Sequence, residues 1–173
     1  QALSFWQKKY HKIHSHKLNK YATTDLASIR NSFGAYCERI EKNNSLRMIK
    51  VIRTLSPISA FKPIVIQLTD LDLNIKFDFV NKLFLETSDP AMLSMKSESL
   101  EFIFKNPFGF DTLTVNGCFE EVKKGGFIEA TKTLAIENLN NLGIKIEPKT
   151  LFNLSVITLF LSRLYRVARK LDA

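Results

Sequence analysis

Cysteine is scarce in this sequence. Cys37 and Cys118 are the whole complement, far apart and outside any C-x-x-C pair. That excludes a cysteine-built zinc site and a disulfide-stapled scaffold, and two reduced thiols are expected. Glycine and proline are also few, six and five in 173 residues, which excludes a low-complexity or disordered chain. No hydrophobic run is long enough to cross a bilayer. The longest, LFNLSVITLFL at 151–161, falls short of the roughly 20 residues that a spanning helix needs. With no signal-peptide pattern in the given residues, the expected compartment is the cytoplasm. The common catalytic signatures H-x-H-x-D-H, H-E-x-x-H, G-x-S-x-G and G-x-x-x-x-G-K-[ST] do not occur either.

What the chain does have is phenylalanine, fourteen residues against four Tyr and one Trp. Phe brings large apolar area with no polar handle, so the expected core is greasy and roomy. The charge is one-sided. Residues 1–53 hold eleven Lys or Arg and three Asp or Glu, and the remaining 120 hold fourteen of each. The net charge of +8 therefore belongs to the first third. Such a basic arm suits an anionic membrane surface, a nucleic acid or an acidic neighbouring domain. No recognition motif accompanies the charge, which ranks nucleic acid low. The chain opens on Gln1, and the expectation is a domain excised from a longer protein.

The spacing predicts helices over 4–20, 23–43 and 45–55. In the second, Thr24 is the expected cap and Asp25 suits the positive end of the dipole. Leu26, Ile29, Phe33, Tyr36, Cys37 and Ile40 share one stripe. The character changes at PIVIQLT (63–69), which is rich in β-branched residues. LNIKFDFV (73–80) alternates, with Leu73, Ile75, Phe77 and Phe79 inward and Asn74, Lys76 and Asp78 outward. Asn81-Lys82 turns it into LFLET (83–87), and a short fourth strand is expected around 92–96. Ser97 is the expected N-cap of a helix carrying Leu100, Ile103 and Phe104, which Pro107 and Gly109 end. Helices over 126–143 and 148–172 close the chain. The first places Phe127, Ile128, Thr131, Leu134, Ala135, Leu139 and Leu142 on one face, and Gly143 ends it.

Segregated helices, strands and helices predict an α+β fold. The expected plan is an N-terminal helical arm over 1–60, then a small, mostly antiparallel sheet of four to five strands within 61–173. Helices cover the sheet on one face, including a long C-terminal one.

Little of this pattern carries chemistry. His11, His14 and His16 cannot all share one face of a helix or strand, and no carboxylate lies nearby as a further ligand. Exposed histidines on a basic arm are expected rather than a metal site. Lys124-Gly125-Gly126 reads as a plain loop before a helix rather than an anion cradle. Asp70 and Asp72, near a strand junction, suggest paired carboxylates, but nothing else in the pattern converges on them. The expectation is a fragment without catalytic residues, metal or cofactor.

NPFGFDTLTVNGCFEE (106–121) is more specific, with three Phe, two Gly and an Asn-Gly pair in sixteen residues. The hairpin at 73–87 precedes it, and then SESLEFIFK leads into Gly-Phe-Asp-Thr-Leu (109–113). A turn at Asn116-Gly117 comes before Phe119. This succession resembles a sterol-carrier-type lipid-transfer domain, in the version that follows a metallo-β-lactamase-fold catalytic domain in some bacterial hydrolases. The resemblance covers 63–125 and, more loosely, the arm. It implies a non-catalytic C-terminal accessory domain whose partner is a missing N-terminal catalytic domain, the seat of any metal-dependent hydrolysis. It also implies an apolar or acyl ligand between sheet and helices. Phe104, Phe108, Phe110, Leu113 and Phe119 would form one apolar wall, and Leu154, Ile157, Phe160 and Leu161 of the last helix another.

Three readings follow. The domain holds an apolar ligand, or it is a solid-core interaction or homo-oligomerisation module, or it is a basic module for nucleic acid or a peripheral membrane surface. An aromatic wall between helix and sheet is also what a plain core looks like, so cavity and solid core both remain open at this point.

Overall fold

A computed structural model describes residues 2–12, 22–55 and 60–149. Helices come first, then a five-stranded sheet interrupted by helices, then helices again, so the fold is α+β. Helix α1 (Ala2–His11) has residues 3–12 exposed throughout. In α2 (Leu26–Asn43) the expected stripe is the buried face, with Ile29, Phe33, Tyr36, Cys37 and Ile40 inside. Its cap is Asp25 and not Thr24. The Asp25 carboxylate accepts from the Ser28 amide at 2.8 Å, while the Thr24 amide is drawn away to the Ser97 hydroxyl. Helix α3 (Leu46–Leu55) buries Ile49, and the expected stop at Ser56-Pro57 lies outside the described residues.

Strands β1 (Ile64–Leu68), β2 (Leu73–Asp78), β3 (Leu83–Thr87), β4 (Leu93–Met95) and β5 (Phe119–Glu121) lie in the order β3-β2-β1-β4-β5. The pairing is antiparallel except between β1 and β4, which run parallel. Ile66 stands between Ile75 and Leu93, and Phe77 between Ile64 and Phe84, so one face is a continuous apolar surface. Gln67, Asn74 and Lys76 alternate onto the other face, as period-two patterning requires. Asp78, expected on that outward face, is instead 2% exposed. It ends β2 and takes both guanidinium nitrogens of Arg53 from α3, with the Val80 amide and the Asn81 side chain as further donors. A carboxylate can be enclosed there because four donors replace its water. Phe79 leaves the strand with it and is still buried, in the turn.

Helix α4 (Ser97–Lys105) buries Leu100, Ile103 and Phe104 as expected. Ser97 does not cap it. The flanking residue is Lys96, and Ser97 is the first helical residue, donating through its amide and hydroxyl to Asp70 at 2.8 and 2.6 Å. Asp70, on which nothing is expected to converge, thus ties the β1–β2 turn to α4.

Pro107 and Gly109 end α4 as expected, but the chain resumes at once as α5 (Gly109–Asn116), which ends on Gly117 in the left-handed region at φ 63. The expected helix over 126–143 breaks at Ala135 into α6 (Gly126–Leu134) and α7 (Ile136–Asn141). The break allows the successive residues Ile136 and Glu137 both to be buried. Leu134 is buried as expected, but Ile128 and Leu142, expected on the same face, are exposed; Ala130 and Thr133 join Leu134 inside. Gly143, at φ 78, follows α7 as the spacing predicted. The long helix over 148–172, with Leu154, Ile157, Phe160 and Leu161, lies outside the described residues.

One core unites these elements. Side chains of α2 and α3, expected in an arm ahead of residue 61, enter the same buried cluster as β1, β2, β4, α4 and α6.

Candidate functional site

Phe104 sits at the centre of the space between the helices and the apolar sheet face, and is fully buried. Its ring centroid lies 5.1 Å from Phe77, 5.2 Å from Phe33 and 5.3 Å from Tyr36. Phe84 closes on Phe33 at 5.5 Å, and Phe79 meets Tyr36 edge-on at 6.4 Å. These separations are those of aromatic rings in contact. The stretch of sheet nearest α2 and α4 is therefore filled by side chains from β2, β3 and both helices.

The five residues expected as a single wall separate into three environments. Phe104 belongs to the centre just described. Phe110 and Phe119 form a second group with Phe127 of α6, three near-parallel rings with centroids 5.6 to 6.1 Å apart. Leu113 is buried beside them in α5. Phe108 leaves the wall altogether. It stands at the α4–α5 corner, 56% exposed, because the helix restarting at Gly109 carries Phe110 inward and turns its predecessor out.

That corner is tight for a chemical reason. A Cβ on Gly109 would lie 2.6 Å from the Ile103 Cα and 2.7 Å from the Phe102 carbonyl oxygen. Phe102, off the Leu100/Ile103/Phe104 stripe, is partly exposed, and Val115 at the far end of α5 is fully open to solvent. Sequence reasoning passed over Phe102 and Val115. The signal available was that both fall off the buried face of their helices.

A cleft of about 240 Å³ opens beside the second aromatic group, lined by Thr69, Ser94, Lys96, Ser99, Cys118 and Phe119 among others. It lies where β4 and β5 meet the start of α4. Its walls mix hydroxyls, an ammonium, a carboxylate and a thiol with the apolar side chains of Met95 and Phe119. The glycine pair at the start of α6 has a packing role. Gly126 lets the chain pass over the Met92 carbonyl, which accepts from the Val122 and Lys123 amides.

Buried polar groups surround α2. Arg39 donates from Nε to Glu137 at 2.9 Å and from Nη2 to the Phe104 carbonyl at 2.6 Å. Burial pushes the Glu137 carboxyl up to about 7, against the pull of Arg39 in the other direction. Burial likewise pushes the Cys37 thiol up to about 12. Cys37 and Cys118 are both free, as expected. The Tyr36 hydroxyl is buried with no hydrogen-bond partner among the described residues, and its acidity is suppressed first by burial and then by the Glu137 charge.

Among the described residues, no group of three or more His, Cys, Asp or Glu side chains converges to hold a metal. His11 is exposed at the end of α1; His14 and His16 lie outside the described residues. No described helix is long and apolar enough to cross a membrane. No family model, no curated protein and no solved structure matches the chain.

Proposed function

We propose that this fold acts by contact, as a solid-core interaction module, with the α4–α5 corner as its binding surface. The observation that carries the reading is the packing of Phe104. Phe104, expected in the wall of a ligand cavity, is enclosed by Phe33, Tyr36 and Phe77. At the α4–α5 corner, apolar area faces outward at Phe102 and Phe108. A surface aromatic pair on a rigid helical corner is a suitable anchor for another protein surface, since aromatic anchors dominate interface energetics.

A second reading keeps the sterol-carrier-type accessory domain, with an apolar or acyl ligand and a hydrolase partner. The Phe110/Phe119/Phe127 group favours it, because Phe119 also borders the cleft at the β4–β5 end of the sheet. The metal-dependent hydrolase itself is supported by the resemblance of 63–125 alone.

Native mass spectrometry before and after organic extraction separates the two. The contact reading expects an unliganded mass, together with association that Phe102→Ser/Phe108→Ser removes. Extra mass released by extraction as a fatty acid or other lipid overturns it in favour of the carrier reading.

A further inference from the structure

Helix α1 is amphipathic and makes no use of its apolar side in the described fold. Leu3, Trp6 and Tyr10 are 75%, 66% and 76% exposed. Their spacing of three and four residues stacks them in one stripe at about 100° per residue. Lys8 and, just past the helix end, Lys12 project from the opposite side together with the exposed Phe5, while Lys9 stands between the two sides with its ammonium 5.6 Å from the Phe5 ring centroid. No acidic residue occurs before Asp25, whereas Lys17 and Lys20 continue the basic run.

From this geometry we propose that α1 lies in the plane of an anionic lipid surface, its Leu3/Trp6/Tyr10 stripe at the headgroup–acyl boundary and its lysines among the headgroups. Three observations select lipid over a protein groove. The stripe offers two aromatics and one leucine, roughly 500 Å² at best, well below the about 800 Å² per partner of a stable protein interface. Trp and Tyr, with an apolar ring and a polar tip, are the side chains that favour the membrane boundary. Five lysines within residues 8–20, with no carboxylate among them, complement acidic headgroups, as short surface helices of this kind require. The proposal is independent of the contact reading of the α4–α5 corner, because it uses none of those residues.

Trp6 is the single tryptophan of the chain, so its emission reports on α1 alone. The test titrates the full chain with phosphatidylcholine vesicles, with and without about 30% phosphatidylserine, at low salt and at about 0.5 M salt, where the Debye length is only a few ångströms. The expected result is a blue shift with the serine-containing vesicles at low salt, largely lost at high salt and weak with phosphatidylcholine alone. Lys8→Gln/Lys9→Gln should weaken partitioning by about thirtyfold, each lysine near the surface being worth about a factor of five. The far-UV spectrum should not change. Four results overturn the proposal. They are no shift with either vesicle, an equal and salt-insensitive shift with both, a shift with protein concentration in the absence of lipid, and a larger shift with RNA than with vesicles. The third would assign the stripe to a second copy of the chain, and the fourth would assign the arm to nucleic acid.

Discussion

Arg53 holds Asp78 with both ends of its guanidinium, Nη2 to Oδ1 at 2.6 Å and Nη1 to Oδ2 at 2.9 Å. The pair bolts α3 to the end of β2. Burial by itself would raise the Asp78 carboxyl, but the hydrogen bonds and charge of Arg53 bring it below the ordinary value. Arg53→Met would leave a carboxylate that is 2% exposed without its counter-ion, a loss of about 3–5 kcal/mol in urea denaturation. In Arg53→Met/Asp78→Asn much of that loss should be recovered. In the parent chain, the stability from Asp78 is present above pH 3.8 and lost as the pH falls through its lower folded value.

Glu137 gives the opposite slope. Its folded value of about 7 stands above the ordinary 4.5. Between those two values the unfolded chain ionises this carboxyl while the folded chain still holds the proton. Its contribution to stability is therefore complete below pH 4.5 and falls as the pH rises towards 7. Urea midpoints between pH 5 and pH 8 should decline in the parent and flatten in Glu137→Gln. A parent profile that rises over the same interval would refute the assignment.

Two glycines should respond to alanine with opposite signs. At Gly34, exposed in the interior of α2, an added Cβ meets nothing within 4 Å. Gly34→Ala is expected to stabilise by about 0.5–1 kcal/mol through helix propensity. At Gly109 the added carbon meets the backbone of α4, which has no side chain to move aside. Gly109→Ala is expected to cost about 1–3 kcal/mol. Thermal melts of the two variants side by side would show it.

Phe104→Ala and Phe108→Ala differ by one helix corner and should differ greatly in effect. The first empties the middle of the aromatic centre, at about 3–5 kcal/mol. The second removes an exposed ring and should leave stability within about 0.5 kcal/mol. Comparable losses in chemical denaturation would mean that Phe108 is covered in solution.

Periodicity carried much of the fold. The α2 stripe, the alternation of β2 from Leu73 to Phe77 and the Leu100/Ile103/Phe104 face are local patterns, and each folded as read. What escaped was set by partners distant in sequence. Asp78 looks like an outward polar residue until Arg53 is known to arrive from 25 residues earlier. Ser97 looks like a cap until Asp70 takes its hydroxyl. Turns are expected at Pro107-Gly109 and Asn116-Gly117, and the helix between them is not. In fact Gly109 is there for a close backbone approach and Gly117 for its left-handed conformation. The five-residue wall failed at Phe108 for a related reason, since a helix restart decides which of two neighbouring rings goes inside.

The wiring of α2 has a consequence during protein synthesis. Its side chains are completed by residues made much later: Ser28 by Glu101, Arg39 by Glu137, and Asn44 by Asn140 and the Ile146 amide, 102 positions on. At about 5–20 residues per second, α2 leaves the ribosome roughly 5–20 s before its last partner exists. Over that interval Ile29, Phe33, Tyr36 and Ile40 form a greasy strip with nothing to lie on, a natural target for a chaperone that guards nascent chains.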